Sequence, residues 1–122
     1  MRIILVHWKI CKGREEEFLT YWSKVSKVAD RAGLIGEFLS GPDDRSLYPW
    51  INWGLDEGYT TFVNVGFWAE GAAFDEQFGR FIDDSRPPLP FEAERRTRIL
   101  LGPRAWRVGE AGLPQLDSDG VS

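Results

Sequence analysis

The chain has 122 residues, of which 43% are hydrophobic, 28% charged and 14% aromatic, with six Trp and a net charge of −4. That length suits one domain, and the balance is that of an ordinary soluble globular protein. An acidic chain lacks the basic stripe that phosphate binding requires, so nucleic acid is excluded as a partner.

Residues 2–11 are apolar at nearly every position (Ile3, Ile4, Leu5, Val6, Trp8, Ile10), the pattern of a strand covered on both faces. The run reads as a strand and not as a signal peptide. No apolar run approaches the ~18 residues of a membrane span, so the cytoplasm is the default location and no membrane partner is expected. Cys11 is the only cysteine, which leaves no intramolecular disulfide and no metal-ligand spacing. Gly13 opens a helix whose first turn carries Glu15, Glu16 and Glu17, where free amide groups favour negative charge. Its apolar stripe is Phe18, Trp22, Val25 and Ala29, with Tyr21 and Val28 beside it. Gly33 followed by Leu34 suits a left-handed helix cap.

Leu34 to Ser40 reads as the second strand, ended by Gly41-Pro42-Asp43-Asp44. Residues 43–58 form a long connection with Tyr48, Trp50, Ile51 and Trp53, rings that need something to pack against. Thr60 to Trp68 is the third strand. A second helix is expected over 70–82, with Phe74, Phe78, Phe81 and Ile82 at helical spacing, and the Pro87-Pro88-Leu89-Pro90 stretch closes it. Phe91 to Arg95 reads as a turn or short helix. Thr97 to Leu101 and Ala105 to Val108 read as the last strand, bent at Gly102-Pro103. Residues 110–122 form a loose tail behind a domain spanning 1–109.

The order is β-α-β-β-α-β, the ferredoxin-like α+β plan of an antiparallel sheet with two helices on one face. Strand–turn–helix occurs twice, at Val6–Gly13 and at Val63–Gly71. Alternation leaves large apolar groups on both sheet faces: Ile3, Leu5 and His7 against Ile4, Val6, Trp8 and Ile10. A surplus apolar face marks an interface, and a second copy packing sheet to sheet closes it most simply.

The phrase Trp8-Lys9-Ile10-Cys11-Lys12-Gly13-Arg14-Glu15-Glu16-Glu17-Phe18, with Phe67-Trp68-Ala69-Glu70-Gly71-Ala72-Ala73-Phe74, resembles the antibiotic biosynthesis monooxygenase-like family over residues 1–109. The resemblance implies a dimeric α+β barrel. The family includes cofactor-independent oxygenases of polycyclic aromatics, quinol oxygenases and haem-degrading enzymes. The haem-degrading members share an Asn on the first strand and a Trp and a His on the second helix. None of these stands at those places here, which disfavours that subgroup.

His7, the only histidine, is the candidate general base or else a packed imidazole. Asn64 is the candidate for orienting a ligand oxygen, or bonds a neighbouring side chain in the sheet. Trp8, Trp22, Trp68, Phe74 and Phe78 are the candidate substrate-binding walls or core. Glu37, mid-strand, needs a partner such as Arg96 or Arg98, because burying a carboxylate alone is costly. Arg95, Arg96 and Arg98 themselves read as a solvated edge or ion pairs. No metal site, catalytic triad, phosphate loop or dinucleotide fingerprint occurs, so no cofactor is expected. Two readings follow. One is a cofactor-independent oxygenase or isomerase of a small planar apolar substrate, its pocket between sheet and helices with His7 or Asn64 as polar groups. The other is a non-catalytic homodimer that binds a hydrophobic small molecule.

Overall fold

Alternation along the two central strands sets the architecture. The computed structural model describes residues 1–113. Among them the order is β1 (Arg2–Ile10), α1 (Glu15–Lys24), β2 (Leu34–Ser40), β3 (Thr60–Trp68), α2 (Gly71–Gln77) and β4 (Glu92–Leu101). Short 3-10 turns stand at Arg45–Leu47 and Gly79–Phe81. The sheet is antiparallel throughout, in the order β2-β3-β1-β4. This is the expected α+β ferredoxin-like plan. No helix among the described residues is long and apolar enough to cross a membrane.

Ile4 lies opposite Gly66, Val6 opposite Asn64 and Trp8 opposite Phe62, so these six share one face. That face takes the helices. The core splits into two clusters of buried residues: Ile4, Val28, Trp68 and Phe74 in one, Trp8, Ile10, Phe18 and Phe91 in the other. Val6 packs against both. The opposite face carries Ile3, Leu5, His7, Phe38, Val63, Val65 and Phe67, with Ile99 and Leu101 of β4 54% and 40% exposed.

Gly13 takes φ +90°, a left-handed turn that glycine enters at no steric cost, and α1 begins two residues later. Thr60 Oγ1 donates to Glu15 Oε1 at 2.8 Å and Gly13 N–H donates to the same oxygen at 3.2 Å. These bonds tie the helix start to β3.

Three expectations need correction. The first helix ends at Lys24, so Val25 is 68% exposed, Ala29 lies outside the helix and Gly33 is no helix cap. Val25 N–H and Ser26 N–H both bond Tyr21 O, and Ser23 Oγ bonds Leu19 O at 2.8 Å. Such side-chain competition for carbonyls weakens a helix end. Gly33 instead lets β2 approach α2: a Cβ there would stand 2.6 Å from Ala73 Cβ. The second helix covers only Gly71–Gln77 of the expected 70–82, because it breaks at Phe78 (φ −131°) before the weak helix former Gly79. The last strand runs Glu92–Leu101, so Arg95 and its neighbours are strand and residues 105–108 are not. Its irregularity lies where β4 meets His7, Lys9 and Ile10, not at Gly102-Pro103.

In the 43–58 connection, Tyr48 packs against Trp50 and Trp53 with ring centroids 6.0 and 6.1 Å apart. Trp50 remains 76% exposed. The tail expected over 110–122 lies outside the described residues from 114 onward.

Candidate functional site

The gap between the two core clusters is a cavity of about 430 Å³. Its floor is the helix-facing side of the sheet: Ile4, Val6, Trp8, Asn64, Gly66, Trp68 and Glu37. Tyr21 and Trp22 of α1, Phe74 of α2 and Phe78 beyond it form the roof, and residues 81–84 and 86–89 with Arg95, Arg96 and Arg98 of β4 complete the rim. All five expected wall residues, Trp8, Trp22, Trp68, Phe74 and Phe78, therefore line one space. Trp68 meets Phe74 and Phe78 with centroids 5.7 and 6.2 Å apart, and Trp8 meets Phe18 at 4.8 Å.

Asn64 stands in this floor, 6% exposed. Its Nδ2 donates to Glu37 Oε1 at 2.5 Å. Its Oδ1 is buried with no hydrogen-bond partner among the described residues, and so is Trp8 Nε1. Trp8 is 4% exposed. Buried polar groups are nearly always paired, because an unmade bond leaves the full desolvation cost of the group. An acceptor and a donor left waiting on the floor of one cavity are the site's most telling feature.

Arg96 forms the rim beside Trp8, its guanidinium carbon 4.0 Å from the ring centroid. Glu92 holds it there: Arg96 Nη2 donates to Glu92 Oε1 at 2.5 Å, and the Arg96 and Leu89 backbone N–H groups donate to the same carboxylate at 3.0 Å each. The Glu92 side chain is fully buried. Arg98 pairs with Asp84 at 2.5 Å. Burial, then the charge of Arg96, draws the Arg98 guanidinium below its ordinary range. Arg96 and Arg98 of β4 are thus ion-paired with Glu92 and Asp84, and Asn64 donates to Glu37. Sequence reasoning missed the Glu92–Arg96–Trp8 stack.

His7 is not in the cavity. It lies between Val63 and Thr97 on the opposite sheet face, with Tyr59 edge-on at 6.2 Å between centroids. Its Nε2 is buried without a hydrogen-bond partner among the described residues. Burial lowers its pKa, Lys9 lowers it further, and Glu94 opposes the shift. Of the two polar residues expected in the pocket, Asn64 lines the cavity and His7 does not. Among the described residues, no three His, Cys, Asp or Glu side chains gather to hold a metal ion.

No family model matches the chain, and no curated protein sequence matches it. Solved structures do. The chain is similar to a monooxygenase from the gene ActVA-Orf6 of Streptomyces coelicolor, solved in complex with the ligand Nanaomycin D. The TM-score is 0.56 over 88% of this chain and 91% of that one, at 11% identity. It is also similar to a mutant of MhuD solved with two manganese protoporphyrin IX bound per active site. There the TM-score is 0.53 over 89% of this chain and 100% of that one, at 13% identity. The chain has the fold of the antibiotic biosynthesis monooxygenase-like proteins, as the Trp8–Phe18 and Phe67–Phe74 phrases imply.

Proposed function

We propose that the cavity takes a small planar aromatic molecule and that the protein oxidises it with dioxygen, without a bound cofactor. The observation that carries this reading is the pair on an aromatic-walled floor that has no hydrogen-bond partner among the described residues, Asn64 Oδ1 as acceptor and Trp8 Nε1 as donor. A ring system fills such walls, and a hydroxyl and a carbonyl on it satisfy the two atoms. An enolisable diaryl methylene supplies its own electrons. With one dioxygen it becomes a ketone and one water, so the substrate is oxidised by four electrons and dioxygen is reduced by four. The Trp8 N–H stabilises the oxygen that carries negative charge once the substrate is deprotonated, and Asn64 Oδ1 fixes the ring by accepting from its hydroxyl. Porphyrin chemistry fits less well, because the one imidazole stands on the other face of the sheet and reaches no iron in the cavity. The apolar face that holds His7 supports a homodimer closed sheet to sheet.

Dithranol, a planar dihydroxyanthrone, serves as the test compound. The reading predicts oxygen uptake in the presence of a chelator, well above the buffer rate. Trp8→Phe keeps the ring and removes the donor, and lowers kcat on the order of 10²-fold. Saturable binding with no accelerated uptake contradicts the oxygenase and leaves a non-catalytic binding module.

A further inference from the structure

We propose that Gly66 sets the size of ring system this cavity accepts: the space that its missing side chain keeps open holds the edge of a rigid fused-ring substrate. The inference rests on the reading that the cavity takes a planar aromatic molecule, and it adds the position that selects for ring number.

Gly66 is buried in the middle of β3, with β2 and β1 paired on either side. Glycine weakens a strand interior, because it has no side chain to pack and loses more backbone freedom on folding. Three structural demands commonly put it there, and none applies. The first is a left-handed backbone, which among the described residues only Gly13 and Gly54 adopt. The second is a bulge. The ladder runs unbroken through Gly66 on both sides, from Ile3–Phe67 to Leu5–Val65 with β1 and from Gly36–Phe67 to Phe38–Val65 with β2. The third is a neighbour too close for a Cβ. At Gly33 such an atom would stand 2.6 Å from Ala73 Cβ. At Gly66 its nearest neighbours would be Trp68 Nε1 at 3.5 Å and Ile4 Cβ at 3.8 Å, ordinary contact distances.

A strand glycine also marks the close approach of a ligand, and the position fits. The cavity floor runs from Trp8 to Val6 with Asn64 opposite, then to Ile4 with Gly66 opposite, and on to Trp68. Asn64 and Gly66 are two residues apart on one face, about 7 Å along the strand. A ring whose hydroxyl donates to Asn64 Oδ1 therefore extends over Gly66 on the side away from Trp8.

The methyl of an alanine at this place would stand on the floor beside Trp68 and Ile4 and take up part of that space. A single ring pivots about its hydroxyl bond and clears the methyl. A rigid three-ring system has no such freedom, because its other end is held at Trp8. The cost of the methyl thus falls on the ligand that spans the floor.

Titration under argon reads this directly. Dithranol is followed by tryptophan quenching, and 2-hydroxyacetophenone, a single ring with a neighbouring hydroxyl and carbonyl, by NMR. Gly66→Ala should melt no lower than wild type and hold 2-hydroxyacetophenone within about threefold of the wild-type affinity. Its dithranol affinity should fall about tenfold or more. Unchanged dithranol affinity overturns the proposal. So does an equal loss for both compounds, which reports general damage to the cavity, or a variant that fails to fold, which means that packing demands the glycine. Wild type that binds no dithranol refutes the aromatic cavity and the proposal with it. Wild type that binds dithranol without oxidising it in air refutes the oxygenase alone and leaves Gly66 as the selector.

Discussion

Glu92 is the residue on which the rim of the cavity hangs. Its fully buried carboxylate takes a side-chain and a backbone donor from Arg96 and one backbone donor from Leu89, and in turn seats Arg96 on Trp8. Removing one partner of a buried ion pair leaves the other charge uncompensated, so Glu92→Ala should cost about 3–5 kcal/mol. Urea titration should show a lower midpoint with an unchanged slope. Nothing in the sequence marks this pair, because a contact between residues four apart in a strand arises only through the irregular pairing of β4 with Lys9 and Ile10. The parity of His7 was legible: it alternates with Trp8 and so cannot share its face. Which face the helices would cover was not, since Ile3 and Leu5 are as apolar as Ile4 and Val6. His7 also sets a pH dependence. Its folded pKa lies below the ordinary 6.5, chiefly through burial. The unfolded chain therefore binds more protons, and the contribution of His7 to stability is complete above about pH 6.5 and falls as the solution is acidified below it. Thermal melts between pH 7.5 and 5 should show a decline that His7→Gln flattens; equal slopes in both proteins would remove His7 as its source.

At the scale of elements, strands are more legible in the sequence than helices. β2 and β3 lie where hydrophobic runs and turn residues placed them, because a strand's period of two and its Gly, Pro and Asp boundaries are local properties. The helices ended early for reasons local periodicity does not carry. Val28 stands at helical spacing from Tyr21, seven residues earlier, and is buried, yet it reaches the first core cluster from an irregular segment after α1. Gly33 has the sequence context of a helix cap, yet it lets β2 pass close to α2. Gly33→Ala should push two methyl groups into one space, with Cβ atoms 2.6 Å apart before relaxation, and cost about 1–3 kcal/mol. Pairing it with Ala73→Gly should recover part of that loss in a double-mutant cycle. Simple additivity of the two changes would mean that Gly33 and Ala73 do not share the contact.

The whole molecule presents one sheet face to its helices and leaves the other, with Leu5, Val65, Phe67 and Ile99, apolar and uncovered by them. A large apolar patch of this kind is the mark of an association surface. Sedimentation at low micromolar concentration should give a mass near twice 14.0 kDa, and Ile99→Glu should shift it to one chain without loss of secondary structure. A folded wild-type monomer under those conditions would contradict the dimer. The sequence carried the architecture and the aromatic walls, but not the opening between two core clusters, which depends on where Val28 and Phe74 settle against the sheet. That opening, with Asn64 and Trp8 on its floor, is the centre of the account. Its most direct test is oxidation of dithranol under ¹⁸O₂ with mass spectrometry of the product. The account predicts that wild type speeds ketone formation and that the new carbonyl carries one labelled oxygen. A rate no faster than buffer alone, with dithranol bound in the cavity, would contradict it.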